Sequence, residues 1–326
     1  MTPARIIVIR LSSMGDVIHT LPAAASLKHS FPQSRVSWIV RPKWAPLLAD
    51  NPYIDEVIPV ERSLRASLAC AARVRSQGCD LAVDFQGLVQ TALLGAAMRP
   101  EKFVGFSRGS VREFPAVFFY SSGVHVRASH VVDRNLELAA GAGATNLLRV
   151  FPLPAGSAEV PAQTRLGTLP EGPFVLASPF AGWGSKQWPM EFWAKLSGLL
   201  ELPLVVNGPP GTESEISRIL GARVHISGIS GLIHATRRAH AVVGVDSGPM
   251  HLAAALGKPG VAIFGPTDPA RNGPYGGSLS VLRDASAVTD YRRAPTPAAS
   301  MRAITPAMVS DTLRMSLANS VEGRRA

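Results

Sequence analysis

The chain has 326 residues, 46% of them hydrophobic and 17% charged, and its formal net charge is +10. At about 150 residues per domain this length predicts two domains, and the supply of apolar side chains excludes an intrinsically disordered protein. The basic residues are spread without a Lys-rich tail, which argues against a nucleic-acid partner; a phosphorylated or carboxylated partner, an anionic membrane surface and a merely solvated basic surface stay open.

The first half of the chain alternates short apolar runs with amphipathic segments. The apolar runs have the length of buried strands, and the segments between them have the helical period. We predict strands over 5–11, 36–40, 56–60, 80–85 and 102–106, and helices over 15–30, 64–77 and 88–98.

The second half repeats this alternation after residues 152–164, a segment rich in Pro, Ala and Gly that is typical of a linker. Strands that alternate with helices predict parallel βαβ units with helices on both faces of a sheet. We predict strands over 174–178, 202–208, 241–246 and 260–265, and helices over 189–200, 211–221, 229–239, 249–257 and 305–318.

The predicted fold class is therefore α/β, with two Rossmann-like, doubly wound domains that face a central cleft. We expect the first domain over 1–151, the linker over 152–164, the second domain over 165–303, and a C-terminal helix and tail over 304–326. Open α/β sheets bind ligands beyond the carboxyl ends of their strands. The loops that follow strands are therefore where functional residues are expected.

Several common motifs are missing. No GxGxxG follows a strand, and neither GxxxxGK[ST] nor HExxH occurs, which disfavours a dehydrogenase, a P-loop nucleotidase and a zinc protease. Residues 105–109 match GxSxG, the nucleophile elbow of α/β-hydrolases. Pro115 follows too closely for a long helix, so an ordinary glycine-bounded turn is the preferred interpretation.

Asp16 stands where the first strand gives way to the first helix, in the segment Arg10–His19. A carboxylate at this place would point into the cleft. Transfer of a sugar from a nucleotide donor needs a base that takes the proton of the attacking hydroxyl, and such a carboxylate can serve. The alternative is that Asp16 only caps the helix.

Two loops of the second half carry anion-binding features. In the segment 245–251, Ser247 and Gly248 leave backbone N–H groups at a helix N-terminus, which suits a pyrophosphate, and His251 lies one turn further on. In the loop 181–189, Lys186 offers a cation to a phosphate. The alternatives are helix capping for the first loop and a solvated lysine for the second.

Five segments together resemble a known family, the ADP-heptose:lipopolysaccharide heptosyltransferases. The resemblance runs from about residue 5 to about residue 313, keeps the order of the motifs, and is similar to the type I members in the form GDVIHTLPA. The five segments are RLSSMGDVIHTLPA (10–23), DFQGL (84–88), AGWGSKQWP (181–189), VDSGPMHLAAALGKP (245–259) and FGPTDP (264–269).

The resemblance implies a GT-B fold and an inverting transfer of L-glycero-D-manno-heptose from ADP-heptose to a Kdo residue of Kdo-lipid A, in lipopolysaccharide inner-core biosynthesis. It implies that Asp16 is the general base. No paired-carboxylate motif for a metal stands out, so we expect neither a metal nor a cofactor, ADP-heptose being a substrate. The residues that it implies for the donor diphosphate, sugar and ribose are Lys186, Ser247, Gly248, His251, Asp246 and Glu213.

The acceptor is expected on the first domain, because the base is there. Between residues 62 and 134 there are ten Lys and Arg against five Asp and Glu. Arginine pairs with carboxylates and phosphates in a bidentate way, and Kdo-lipid A carries both groups. The alternative is that most of these residues are solvated surface charges. The acceptor residues that we predict are Ser12, Arg62, Arg65, Arg112 and Arg134.

The cysteines and the N-terminal sequence indicate the compartment. Cys70 and Cys79 fit no metal or redox motif, and no signal peptide or membrane-spanning run is recognisable, so we expect a cytoplasmic protein, with peripheral attachment to the inner membrane as the alternative. The rival functions are a type II or III heptosyltransferase with another acceptor, a sugar-nucleotide epimerase, and a binding protein for a nucleotide sugar or lipid A.

Overall fold

The computed structural model describes residues 2–158 and 168–322, and the chain divides into two units, Met1–Pro154 and Ala155–Ala326. The predicted linker 152–164 begins near this division, but its residues 159–164 lie outside the described residues. The last four residues of the predicted tail also lie outside them.

The first unit is built on one six-stranded sheet in which every pair of neighbouring strands is parallel. Its strand order is β3-β2-β1-β4-β5-β6. The central strand is apolar along most of its length because both of its faces are covered, as in other parallel sheets. The strands are β1 (Arg5–Ile9), β2 (Arg35–Val40), β3 (Glu56–Pro59), β4 (Leu81–Asp84), β5 (Lys102–Phe106) and β6 (Ser122–Val124).

Helices cover both faces of this sheet. The helices α1 and α4 pack against each other on one face, while α2, α3 and the 3-10 helix Phe114–Phe119 enclose a core with β-strand side chains on the other. A further 3-10 helix, Pro42–Leu48, follows β2. The α-helices are α1 (Met14–Ser30), α2 (Leu64–Gln77), α3 (Val89–Ala97) and α4 (Val131–Ala142).

The second unit repeats the same architecture. Its sheet is again entirely parallel, in the order β12-β11-β10-β7-β8-β9. Counted from the first strand of each unit, both sheets have the order 3-2-1-4-5-6, which is that of the Rossmann fold. The strands are β7 (Val175–Ser178), β8 (Leu204–Gly208), β9 (Arg223–Ile226), β10 (Ala241–Val245), β11 (Gly260–Phe264) and β12 (Leu279–Arg283).

The helices of the second unit form its core with the sheet. Trp188 and Trp193 are fully buried there, and the indole N–H of Trp188 donates to the Ile304 carbonyl at 2.8 Å. The helices are α5 (Met190–Leu199), α6 (Glu213–Ile216), α7 (Ile229–Arg238), α8 (Gly248–Ala255), α9 (Pro269–Asn272), α10 (Ala299–Ala303) and α11 (Pro306–Glu322), with a 3-10 turn at Gly184–Lys186.

One predicted element is wrong. The helix expected over 211–221 is α-helical only at α6, because i→i+3 bonds such as Ile219 N–H to the Ile216 carbonyl (2.9 Å) then tighten the chain into turns. The strand β9, which was not predicted, follows. Five further strands and α-helices were also missed: β6, α4, β12 and the short helices α9 and α10.

Both sheets have a topological switch point, where the strand order reverses. In the first unit it lies between β1 and β4, and in the second between β7 and β10. Ligands of doubly wound sheets bind beyond the carboxyl ends of the strands at such a point. The loops after these four strands are therefore the places where each unit is expected to bind.

Candidate active site

Asp16 lies at the switch point of the first unit, as the third residue of α1. Its Oδ2 accepts hydrogen bonds from the Ser13 backbone N–H (2.9 Å) and the Ser13 hydroxyl (3.0 Å). Its Oδ1 forms an ion pair with Arg10. The Asp16 side chain keeps 29% of its surface exposed, whereas Arg10 keeps 6%. The carboxylate therefore takes part in helix capping and still offers a face to solvent.

The surroundings of Asp16 act on its pKa in opposite directions. Burial raises the pKa, but the Arg10 guanidinium, the two Ser13 donors and the Arg112 charge lower it by more, so the net pKa lies below the usual value of 3.8. The carboxylate is thus ionised at neutral pH. Arg112, one of the predicted acceptor residues, is close enough to Asp16 to contribute to this shift.

Arg10 is held from behind by the loop after β4. Its guanidinium donates to the Phe85 carbonyl, and its own carbonyl accepts from the Trp38 indole at 3.1 Å. The next residue, Leu11, donates its N–H to the Gln86 side chain at 2.8 Å. The segment DFQGL therefore holds the end of β1 in place. It thereby also positions Arg10, the partner of Asp16.

Asp84 organises that same loop. Its fully buried carboxyl group accepts from the backbone N–H groups of Gln86 (2.9 Å) and Gly87 (3.2 Å). It also accepts from the hydroxyls of Thr91 and Tyr120, both at 2.8 Å. Four donors satisfy it in full, so Asp84 is a structural residue behind the site.

Asp246 is the centre of the corresponding site in the second unit. Its Oδ2 binds the Lys186 ammonium at 2.8 Å and accepts from the Thr267 hydroxyl at 2.6 Å. Its Oδ1 lies 3.7 Å from Nε2 of His251. Side chains from the loops after β7, β10 and β11 thus meet at one carboxylate, and three of the predicted donor residues lie together.

Ser247 and Gly248 begin α8 beside this cluster. Ser247 occupies the N-cap position, yet its side chain does not cap the helix. Within 2–158 and 168–322, its buried Oγ has no hydrogen-bond partner, and the same holds for Ser178 at the end of β7 and Ser185 in the following loop. Buried hydroxyls are rarely left unpaired. Three at one switch point therefore suit a ligand rich in oxygen atoms.

The loop that carries Lys186 is rigidly attached. Ser185 exchanges backbone hydrogen bonds with Ala294 (2.9 Å) and Ala298 (3.2 Å). The backbone carbonyl of Pro295 lies so close to Gly184 that any Cβ there would clash with it at 1.8 Å. The ammonium of Lys186 is thereby held 4.9 Å from the ring centroid of Trp183.

Further basic residues surround that tryptophan. Arg293 lies 5.5 Å from the Trp183 ring, and Arg271 lies 5.8 Å from the ring of Tyr291, which packs edge-on against Trp183. Sequence reasoning missed both arginines because they are distant from Lys186 along the chain. Together they make this edge of the sheet a place for an anion.

The remaining predicted residues lie outside these two clusters. Glu213 is the half-buried first residue of α6, after β8. Ser12 is half-buried in the loop before α1, and Arg62 and Arg65 are exposed around the start of α2. Arg134 donates to the backbone carbonyls of Ser110 (2.9 Å) and Ala128 (3.4 Å). Its guanidinium thus supports the loops around β6, and a role at the acceptor stays a prediction.

Two partners of the site were not predicted as such, although both lie inside motifs that the sequence analysis quoted. Arg10 opens the first motif and pairs with Asp16. Thr267 lies in FGPTDP and binds Asp246. Their positions inside those motifs could have marked both as site residues.

The GxSxG segment forms a turn. Gly105 belongs to β5, and the N–H groups of Ser110 and Val111 both bond to the Ser107 carbonyl. The 3-10 helix Phe114–Phe119 follows in place of the long helix that a nucleophile elbow needs.

In the part of the chain that the structure describes, no three His, Cys, Asp or Glu residues are grouped so that they could hold a metal ion. Nor does any helix of that part combine the length and hydropathy needed to cross a bilayer.

Two doubly wound units, with an ionised carboxylate at one switch point and a cationic, hydroxyl-rich site at the other, define the architecture of a GT-B glycosyltransferase. The pattern of glycosyltransferase family 9 (heptosyltransferase) matches residues 67–298. The chain is 31% identical to lipopolysaccharide heptosyltransferase 1 of Pseudomonas aeruginosa in an alignment of 297 positions, which covers 84% of this chain and 82% of that protein.

Solved structures agree with this match. Escherichia coli heptosyltransferase WaaC with ADP superposes with a TM-score of 0.78 at 26% identity, over 96% of this chain and 99% of that one. WaaC with ADP-2-deoxy-2-fluoro heptose gives 0.75 at 26%, over 95% and 99%. The chain belongs to glycosyltransferase family 9, the heptosyltransferases, and is a glycosyltransferase. The predicted family, fold class and enzyme class are confirmed.

Proposed function

We propose that this enzyme transfers L-glycero-D-manno-heptose from ADP-heptose to a Kdo residue of Kdo-lipid A, with inversion at the anomeric carbon. The observation that carries the proposal is the site around Asp246, where Lys186 and the N-terminus of α8 meet three buried hydroxyls. The relative from Pseudomonas aeruginosa, a lipopolysaccharide heptosyltransferase 1, and the two ligands of WaaC support this choice of donor.

The donor diphosphate would bind on the second unit. The backbone N–H groups of Ser247 and Gly248, at the N-terminus of α8, and the dipole of that helix favour a phosphate there. Lys186 and His251 would donate to its oxygens, and Asp246 would orient both. Glu213 would bind the ribose. No cofactor enters this scheme, because the nucleotide sugar is itself a substrate.

The transfer would be a single displacement. The Kdo hydroxyl oxygen attacks the anomeric carbon while the bond from that carbon to the ADP oxygen breaks, and the bond's electron pair leaves with ADP. The proton of the hydroxyl passes to Asp16. Lys186 and the N-terminus of α8 would stabilise the charge on the departing ADP. Because the attack comes from the side opposite the leaving group, the configuration inverts.

The acceptor would bind on the first unit, around the base. Arg112 acts on the pKa of Asp16 and is exposed, so its guanidinium is available to a carboxylate or phosphate of the acceptor. Ser12, Arg62, Arg65 and Arg134 complete the proposed acceptor residues. A lipid-linked acceptor would bring the enzyme to an anionic membrane surface, and we include that peripheral contact in the proposal.

The test is a purified transfer assay. ADP-heptose is incubated with Kdo-lipid A, with heptosyl-Kdo-lipid A, or with no acceptor, and both ADP release and the lipid product are measured. The proposal expects ADP and a heptosylated lipid with the first acceptor only. Product from heptosyl-Kdo-lipid A alone would indicate a type II enzyme, an altered sugar nucleotide without acceptor an epimerase, and no turnover a binding protein; each of these results overturns the proposal.

A further inference from the structure

One helical layer of the first unit exposes large apolar side chains to solvent. The layer consists of α2, α3 and the 3-10 helix Phe114–Phe119, which share one face of the sheet. Leu64 and Phe118 keep 76% and 74% of their surface exposed. Exposed apolar groups that share a surface mark interaction sites more often than isolated ones do. The apolar patch, as we name it, consists of Leu64, Leu68, Leu93, Phe114 and Phe118.

The opposite helical layer of the same unit lacks this feature. The helices α1 and α4 are described along their whole length, and no large apolar side chain on either is exposed. Both layers pack against the same sheet, so apolar side chains of either layer can be buried against it. Among the helices of the unit the exposure is therefore confined to one layer, although Leu147 and Val150, in the segment after α4, keep 38% and 40% of their surface exposed.

The members of the apolar patch are linked through neighbouring helices. The helix α3 packs beside α2 and beside the 3-10 helix. Leu64 and Leu68 are one turn apart and thus lie on the same side of α2. The rings of Phe114 and Phe118 lie 5.4 Å apart. Because α2 starts at the carboxyl edge of the sheet, Leu64 and Leu68 lie near the edge that carries Asp16.

The charged side chains around the apolar patch are mostly basic, although Glu61 before α2 and Glu113 are exposed and Arg73 is paired with Glu56. The helix α2 carries Arg65, Arg73 and Arg75 and no carboxylate, while α3 and the 3-10 helix carry no charged residue. The guanidinium of Arg108 lies 4.7 Å from the ring centroid of Phe114. Glu113, which precedes the 3-10 helix, accepts a hydrogen bond from the Val89 backbone at 2.8 Å. The helices that expose the apolar side chains thus expose only positive charge.

We propose that the apolar patch is a docking surface for an anionic lipid bilayer. Apolar side chains set among arginines can enter the boundary between headgroups and acyl chains while the guanidinium groups bind lipid phosphates. The proposal rests on the proposed function in one respect: a lipid-linked acceptor lies in such a bilayer, and the apolar patch adjoins the edge that would receive it. A second copy of the chain is disfavoured as the occupant, because the arginines of α2 would come close to the same arginines of the other copy.

Vesicle co-sedimentation tests the docking directly. The full chain is mixed with phosphatidylcholine vesicles that contain 0 or 30% phosphatidylglycerol, at low and high salt. Wild type is expected to bind the anionic vesicles and to be released by salt. Leu64→Ser with Leu68→Ser, and separately Phe118→Ser, should each weaken partitioning on the order of tenfold. Leu220→Ser is the matched control, because Leu220 is 77% exposed on the second unit.

The outcomes separate cleanly. Binding of both patch variants at the wild-type level, equal losses in the Leu220→Ser control, equal binding to neutral vesicles, or no binding by wild type would each overturn the proposal. Sedimentation of the protein alone identifies the remaining occupant: a wild-type dimer that the patch substitutions dissociate would mean that a second copy covers the surface. Thermal unfolding shows that the substituted chains are folded.

A second assay separates this proposal from the proposed function. Transfer is measured to Kdo-lipid A in anionic vesicles and to a deacylated, water-soluble form of the same acceptor. The variant with both Leu64→Ser and Leu68→Ser should lose on the order of tenfold in kcat/KM with vesicles and keep wild-type kcat/KM with the soluble acceptor. Equal activity on both substrates overturns the docking surface. No activity of wild type on either overturns the proposed function, while the vesicle-binding result still decides the docking.

Discussion

The two units place the same kind of ion pair at the same point of the same strand order, but with opposite polarity. In the first unit the carboxylate of Asp16 is the more exposed partner, at 29% against 6% for Arg10. In the second the ammonium of Lys186 is the more exposed, at 15% against 7% for Asp246. In the proposed mechanism the buried partner positions the exposed one, and the exposed partner meets the ligand. One unit would therefore offer a proton acceptor and the other a cation.

This difference explains how a repeated fold can serve two halves of one reaction. The strand order dictates where a ligand binds, since the loops diverge at the switch point. The side chains placed there dictate the chemistry, which strand order alone does not determine.

The largest effect is expected from the exposed carboxylate. Asp16→Ala should lower kcat by about 10²–10⁴-fold, the usual contribution of a general base, and leave the affinity for ADP unchanged. Steady-state transfer and calorimetric ADP titration measure the two quantities. Asp133→Ala is the matched control, because Asp133 is 31% exposed and also paired with an arginine. Wild-type turnover in Asp16→Ala would falsify the assignment of the base.

The exposed cation of the second unit should come next. Lys186→Met should weaken ADP binding by about tenfold to a hundredfold, because a hydrogen bond to a charged group contributes about 1.5–3 kcal/mol. Lys195→Met, an exposed lysine on α5, is the control. The substitution also leaves Asp246 buried without its cation, so thermal unfolding is compared with that of Lys186→Met combined with Asp246→Asn. Unaltered ADP affinity in Lys186→Met would place the diphosphate elsewhere.

Replacement of the buried Arg10 should act through Asp16 and show in the pH profile. In wild type the pKa of Asp16 is lowered, so its carboxylate stays charged, and its contributions to activity and stability are lost only as pH falls below 3.8. In Arg10→Met, burial still raises the pKa of Asp16, while the guanidinium that lowers this pKa most is gone. The acid limb of kcat/KM should therefore move to higher pH.

The control for this profile is Arg73→Met, which removes an arginine paired with Glu56 in the same unit. Its acid limb should coincide with that of wild type. An unshifted limb in Arg10→Met would show that Arg10 does not tune the base, even if kcat falls for structural reasons.

The smallest effect on transfer is expected at the acceptor arginines, which the structure now distinguishes. Arg112→Ala should raise acceptor KM several-fold and flatten its rise with salt, because an exposed charge is screened beyond about 8 Å at physiological ionic strength. Arg134→Ala should mainly lower the melting temperature, since its guanidinium bonds two backbone carbonyls. Arg35→Ala, at the opposite edge of the sheet, is the control. An acceptor KM that is unchanged at low salt in Arg112→Ala would remove this residue from the acceptor site.

Sequence reasoning recovered the interior strands and missed three of the four edge strands, β6, β9 and β12. An interior strand of a parallel sheet is apolar on both faces and is recognisable without context. An edge strand has one neighbour, is short, and carries polar residues such as Arg223 and His225 in β9. Only β3, whose sequence EVIP is apolar after Glu56, was predicted.

The helix α4 was missed for a related reason. Its buried face includes Asn135, whose amide donates to the His19 carbonyl (3.0 Å) and the Thr20 hydroxyl (3.1 Å) of α1. A polar residue that is satisfied by another helix interrupts the apolar stripe on which periodicity depends. The predicted site residues lie in the loops that follow strands or in the first turns of the next helices, but their pairing could not be predicted. Lys186 and Asp246 are 60 residues apart and meet only through the strand order.

The capping contact of Asp16 has a consequence for the enzyme's cycle. The same Oδ2 that accepts from both Ser13 donors would lose much of its acceptor strength once the carboxyl group takes a proton from the acceptor. A protonated Asp16 would also weaken its pairing with Arg10 and its interaction with the helix dipole. The start of α1 would then be least well held immediately after each transfer. Because the start of α1 is held better by the ionised carboxylate, it would favour loss of that proton to water. Asp16 would then be ionised again before the next acceptor binds.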